Sequence, residues 1–220
     1  MIQSSLLNEL NVKHGFCGVE LTFDGVNLFD SATKINEFNK KVGVQKTIFL
    51  RQVHSNKISH INSIKKSDGI IINQKNIAIA LKTADCIPLL IFDDVTKTIG
   101  ALHVGSKGAY RGIVENGIEE FKKFGAKTLY VVIGPSIAWE SHEVQDDFLK
   151  LFKREYFHFI DDKKYFDLKK YIKDKIYEFK KDFMKIVIDD VMIDTFKTTE
   201  FHSYRREKKT PLRNVSYIAT

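Results

Sequence analysis

The chain has 220 residues with a hydrophobic fraction of 43%, enough for a folded core, which excludes a disordered protein and fits one domain over 1–220. Its formal net charge of +7 comes with no aromatic-and-basic RNA signature and no zinc-finger spacing, so nucleic acid is not expected as a partner. Two cysteines, Cys17 and Cys86, are too few for a disulfide framework. Residues 1–12 lack a leader-like basic and apolar pattern. The most apolar stretch, 77–92, is broken by Lys82, Asp85 and Pro88, so a cytoplasmic protein without a membrane partner is expected.

Taken in chain order, residues 46–54 (KTIFLRQVH) read as a strand with a polar tip, and 57–64 as another short one. Asp68-Gly69 is a turn signal before the apolar run 70–72. Strands follow at 77–81 and 87–92 with TADC between them, then a turn at Asp93-Asp94 and a strand at 98–103. A helix is predicted over 113–124, where Ile113, Ile118, Phe121 and Phe124 keep helical spacing. The β-prone run 128–133 stops at Gly134-Pro135. Residues 143–153 read as helical. Residues 168–181 read as a long amphipathic helix with Leu168, Tyr171, Ile172, Ile176 and Phe179 on its buried stripe. One more strand is predicted at 186–192, and 201–220 reads as irregular with Tyr217 and Ile218 as an edge. The order of strands and helices gives an α/β or α+β class. The lysines between 150 and 185 read as solvated helix faces. Cys17 reads as a small buried hydrophobe.

Three metal-ligand types stand at predicted strand ends: His54 closes RQVH, Cys86 follows TAD, and His103 ends GALH. Two imidazoles and a thiolate suit zinc better than magnesium or calcium and would leave a fourth position open. The three are far apart in sequence, so spacing alone leaves room for structural histidines and a thiol that is a hydrolase nucleophile.

RQVH, DG before an apolar strand, TADCIP, ALHVGSKGAYRG, IGPSI and SYRR occur in this order. From about His54 to Ser216 they resemble the YfiH family, also called the laccase-domain or polyphenol-oxidase-like family. The resemblance implies one zinc ion on His54, Cys86 and His103, with copper as a substitute. It implies an α+β fold, a mixed β-sandwich flanked by helices in α/β/β/α layers, with the site at the strand ends. It also implies a purine nucleoside phosphorylase acting on adenosine, inosine and methylthioadenosine, with adenosine deaminase side activity. Purine nucleosides and phosphate are then the expected partners, and a monomer or small homo-oligomer the expected assembly. A phenol-oxidising copper enzyme would need further histidine-rich sites, and only seven histidines are scattered along the chain. A cysteine- or metal-dependent amide hydrolase, a laccase-like copper oxidoreductase and a non-catalytic metal protein stay open beside it.

Phosphate needs cations, and Arg51, Lys107, Arg111, Arg205 and Arg206 are the candidates, each against the reading of an ordinary surface charge. Cys86, Asp85, Arg51, Lys107 and Arg111 form the expected catalytic set, with Arg205 and Arg206 on substrate or phosphate. Asp85 is an acid/base candidate, a turn cap or a carboxylate that orients a ligand histidine. Glu143 is the other acid/base candidate. The chain departs from the family in reading HVGSKG rather than HAGWRG, so Ser106 and Lys107 replace tryptophan and arginine. Paired cysteines after IGPSI are absent, and Trp139 stands nearby, as a core residue or a stacking surface.

Overall fold

The computed structural model describes residues 1–21, 23–24, 32–61 and 66–220. The helices are α1 (Ser5–Glu9), α2 (Ala32–Val42), α3 (Ser106–Tyr110), α4 (Ile113–Lys123) and α5 (Leu168–Tyr177). The early strands are β1 (Lys13–Cys17), β2 (Phe23–Asp24), β3 (Lys46–Phe49), β4 (Ile58–Ser59), β5 (Gly69–Ile72) and β6 (Ile77–Thr83). The centre holds β7 (Ile87–Phe92), β8 (Ile99–Val104) and β9 (Thr128–Ile133). The later strands are β10 (Glu143–Val144), β11 (Phe157–Ile160), β12 (Lys163–Phe166), β13 (Lys185–Asp190) and β14 (Leu212–Ala219).

Two sheets lie face to face. One runs β1-β14-β6-β3 with β2 on β14, and the other β13-β9-β7-β8-β5-β4; β10-β12-β11 is a small separate sheet. The period of two along each strand sorts the side chains into layers. Ile79 and Leu81 of β6, Leu90 and Phe92 of β7, and Ile218 of β14 share the cluster between the two sheets. Alternate residues point the other way. Ile87, Leu89 and Ile91 pack against Ile113, Ile118 and Phe121 of α4 and Leu168, Ile172 and Ile176 of α5. On the opposite outer face, Ala78, Ala80, Val215 and Tyr217 pack against Phe38 and Val42 of α2. The order is therefore helix, sheet, sheet, helices, as the resemblance implies. Each isoleucine or leucine buried in these layers contributes roughly 1.5–3 kcal/mol.

Several expectations need correction. Residues 143–153 hold β10 and a 3-10 turn at Asp146–Lys150 instead of a helix. Phe148 and Phe152 have helical spacing, but they are gathered by Phe166, with ring centroids 5.6 and 4.4 Å away. Helix α5 stops at Tyr177, four residues short of 181. The strand at 46–54 ends at Phe49, and 186–192 becomes Lys185–Asp190. Residues 62–64 of the strand expected at 57–64 lie outside the described residues. The irregular tail contains β14, which is interior and pairs with β1 on one side and β6 on the other. Among the described residues, no helix is long and apolar enough to cross a membrane.

Candidate active site

Strand pairing brings the three ligand types together. In the antiparallel pair of β7 and β8, Pro88 faces His103, which carries Cys86, just before β7, to the same end of the sheet. Strand β5 pairs with the other side of β8 and sets Gly69 opposite Leu102, so Asp68 reaches His103, whose N–H donates to the Asp68 carbonyl at 2.7 Å. The segment before β4 then crosses this end carrying His54.

That segment is bent around one carboxylate. Asp68 is fully buried and accepts the N–H of Val53 at 3.1 Å, His54 at 2.9 Å and Ser55 at 2.6 Å, plus the Ser55 hydroxyl at 2.7 Å. These bonds hold His54 at φ 57°, a left-handed backbone that non-glycine residues rarely take. Asp68 also accepts from Nδ1 of His103 at 2.8 Å. Burial opposes its charge, but the bonds from His103 and Ser55 outweigh that and hold the carboxyl far below the usual range.

With Nδ1 committed to Asp68, His103 has Nε2 left for a ligand. One ligand atom from each of His54, Cys86 and His103 lies within 4.8 Å of the others. Cys86 Sγ is 3.9 Å from His54 Nε2, and the two imidazoles meet edge to face at 4.7 Å. Burial opposes the Cys86 thiolate, yet His103 and His54 outweigh it and lower its pKa. Burial likewise opposes the His103 cation, and the Cys86 thiolate and Asp68 outweigh it and raise its pKa. A buried histidine, an exposed histidine and a half-buried thiolate, one ring fixed by a carboxylate, offer two nitrogens and one soft sulfur, a set that fits zinc or copper. Gly105 completes the fit: a Cβ there would stand 2.8 Å from Cys86 Sγ and 3.2 Å from His54 Cδ2.

Two cavities flank this cluster, and His54 and Cys86 line both. The smaller, of about 370 Å³, is bordered by Gln52, Lys82, Thr83, Tyr204 and Arg213. The larger, about 530 Å³, is bordered by Val53, Gly105, Ser106, Lys107, Arg111 and Phe148.

The remaining expected residues divide. Lys107 lies on α3 facing the larger cavity, and Arg111 lines it too while donating from Nη1 to the His54 carbonyl at 3.2 Å. Arg51 is exposed and lines neither cavity. Asp85, at φ 77°, accepts from the Thr195 hydroxyl at 2.8 Å and the Arg205 N–H at 2.7 Å, so it ties two loops to the TADC turn. The carboxylate on a ligand histidine is that of Asp68 instead. Arg205 donates to the Glu143 carbonyl at 3.0 Å. Arg206 is committed to the carbonyls of Thr195, Phe196, Thr198 and Phe201 and to Glu207, which makes it a loop staple and leaves its fork no reach for phosphate. Glu143 bonds Lys163 at 3.2 Å. Trp139 is half-buried and stacked on His158 at 3.8 Å, away from both cavities, so neither a core tryptophan nor one beside the triad is found. The sequence assigns no role to Asp68, Tyr204 or Arg213: Asp68 enters it only through the Asp-Gly pair and Tyr204 only within SYRR.

The family described as multi-copper polyphenol oxidoreductase laccase matches residues 28–220. A purine nucleoside phosphorylase of Rickettsia prowazekii (strain Madrid E) is 33% identical over 87% of this chain and 80% of its own length. One of Campylobacter jejuni is 31% identical over 76% of this chain and 74% of its own. Among solved structures, the hypothetical protein YfiH of Bacillus licheniformis superposes with a TM-score of 0.78 at 23% identity, covering 96% of this chain and 93% of that one. YlmD of Geobacillus stearothermophilus gives 0.78 at 20% identity over 94% and 89%.

Proposed function

Since the chain belongs to the multi-copper polyphenol oxidoreductase laccase family, the YfiH-type proteins, we propose that it is a metal-dependent purine nucleoside phosphorylase, with zinc as its metal. The observation that carries this reading is the His54, Cys86 and His103 cluster set in the wall between two cavities, one of them bordered by Lys107 and Arg111. The relatives named purine nucleoside phosphorylase support the same reaction.

Phosphorolysis breaks the bond from ribose C1′ to the base, forms a bond from C1′ to a phosphate oxygen, and releases the protonated base. The cavity beside Lys107 and Arg111 is where phosphate would be held. Arg111 is anchored through Nη1 to the His54 carbonyl, so its position is tied to that of the ligand loop. Lys107 supplies charge without the planar fork of an arginine. Bound zinc would act as a Lewis acid that orients and neutralises an oxygen anion. Asp68 keeps His103 in the tautomer that presents Nε2. His54, Cys86 and His103 form the one group of three or more ligand-type side chains among the described residues, which does not match an enzyme built on several copper sites. Deamination of adenosine would need a proton shuttle beside the metal, and Asp85 and Glu143 are both engaged elsewhere. Phosphorolysis of adenosine, inosine or methylthioadenosine is therefore the primary reading.

The test is phosphate-dependent release of free base from purine nucleosides by protein of measured metal content. Zinc near one equivalent, release that needs phosphate, and loss of both in Cys86→Ala are expected. Absence of base release from every purine nucleoside at high enzyme concentration would overturn the reading. Turnover that survives complete metal removal would point to a thiol hydrolase instead.

A further inference from the structure

The six-stranded sheet ends on β13, away from the metal ligands. Met184, just before this strand, donates its N–H to the Lys127 carbonyl at 2.8 Å, which sets the phase of the parallel pairing with β9. Peptide groups alternate along a strand, so Ile186 and Ile188 turn their N–H and C=O toward β9, while Lys185, Val187 and Asp189 turn theirs outward. Among the described residues, no strand pairs with that outer side. The free side of β1, by contrast, carries the bridge from Ile2 to Phe16. Edge strands are usually blunted by proline, a bulge or a charge. Strand β13 reads KIVIDD: it has no proline, and its middle is three β-branched apolar residues, each only partly buried. Exposed methionines flank it, Met184 at 83% and Met192 at 77%.

We propose that β13 pairs with β13 of a second copy of this chain, antiparallel and centred on Val187, so that two six-stranded sheets join into one. The charges choose both occupant and register. In this register Lys185 stands opposite Asp189 of the second copy, and Asp189 opposite its Lys185, so one two-fold axis creates two opposite-charge pairs. Both side chains lie on the face between the two sheets of each chain. The Lys185 ammonium is 5.3 Å from the centre of the Tyr130 ring, and Asp189 accepts the Ser4 hydroxyl at 2.5 Å through Oδ2 alone. Asp190, on the helix face, is spent on Lys169 at 2.9 Å and Lys173 at 3.1 Å. An in-register parallel pair would set Lys185 beside Lys185, and a shift of two residues would set Lys185 or Asp189 against Val187. The outward residues fall in hydrogen-bonded positions, so the pairs at Lys185, Val187 and Asp189 each exchange two N–H to C=O bonds. On the other face, Ile186 meets Ile188 of the second copy and extends the apolar layer beneath α4 and α5. Neither cavity beside the triad is lined by a residue of β13, so the dimer leaves both open and the proposal is independent of the reaction.

The experiment is sedimentation equilibrium of the full chain over a concentration series. Wild type is expected to associate reversibly into a dimer. Lys185→Asp and Asp189→Lys each set like charges opposite one another and are expected to raise the dimer Kd about tenfold or more. Mixed one to one, the two variants are expected to recover a dimer, because every charge then meets its opposite. A wild type that stays monomeric at every soluble concentration overturns the proposal. So does a dimer that Lys185→Asp leaves unchanged, or a mixture of folded variants no tighter than either alone. Hydrogen exchange gives a second reading should Asp189→Lys fold poorly through loss of the Ser4 bond. The amides of Lys185, Val187 and Asp189 should gain protection with concentration in wild type and not in Lys185→Asp, and protection that ignores concentration in wild type counts against the interface.

Discussion

One carboxylate oxygen of Asp68 is tied to both histidines of the triad: Oδ1 accepts from Nδ1 of His103 at 2.8 Å and from the backbone N–H of His54 at 2.9 Å. The position of one ligand's ring and of the other ligand's main chain thus depends on a single buried atom. Asp68→Asn removes the charge and puts an amide among groups that are all donors. Zinc affinity is expected to fall about 10- to 100-fold, as when a partner of a ligand histidine is lost. Competition with a chromogenic chelator measures it. An affinity equal to wild type would show that the ligand loop holds its shape without this carboxylate.

Gly105→Ala tests the space beside the metal rather than its supports. The backbone at Gly105 is ordinary extended chain, so alanine costs nothing there in φ and ψ. Its methyl would nevertheless stand 2.8 Å from Cys86 Sγ, closer than real Cβ atoms come. The sulfur or the His54 ring must shift, so a folded protein with substoichiometric zinc is the expected outcome. Full metal content by elemental analysis, with wild-type affinity, would contradict it.

The two thiols are predicted to behave oppositely in metal-free protein. Burial pushes Cys17 up to about 11, and it is fully enclosed beneath α2. His103 and His54 lower Cys86 despite burial, so its thiolate persists below the ordinary thiol range. At neutral pH, iodoacetamide should modify Cys86 and leave Cys17 intact, and added zinc should protect Cys86. Mass spectrometry of the peptides reads both. Equal labelling, or no zinc protection, would argue against the thiolate as a ligand.

Much of the fold was legible because the central strands are short, wholly buried apolar runs: 87–92 and 128–133 were read with the boundaries the structure has. Strand β14 was not legible, since its inward positions include the buried polar residues Asn214 and Ser216. Asn214 spends its side chain on the His202 backbone, which breaks the apolar alternation without breaking the strand. The triad's sequence neighbourhood carried it into view. Its support did not, because Asp68 meets His103 only through the pairing of β5 with β8, a contact between residues 35 apart. Arg206 illustrates the converse error: cation identity suggested phosphate, but the carbonyls around it decide its use.

His142 gives a pH dependence that is separate from the metal. Burial, with Arg205 nearby, lowers its pKa from 6.5 to about 4, while its Nδ1 sits 3.1 Å from the Phe166 carbonyl. The native protein therefore binds this proton less readily than the unfolded chain. Stability rises with pH wherever the unfolded state holds more protons, so the neutral imidazole's contribution is complete above about 6.5 and is lost as pH falls toward 4. The full difference is on the order of 3 kcal/mol. Urea titrations of His142→Gln across this window should show a shallower loss of stability than wild type, with the two curves parallel above about pH 7. Because His142 packs against Phe148 and Phe166, with ring centroids 6.1 and 5.7 Å away, the variant starts less stable overall. The slope, not the offset, carries the prediction. Identical slopes between about pH 4 and 6.5 would mean that this histidine is protonated in the native state.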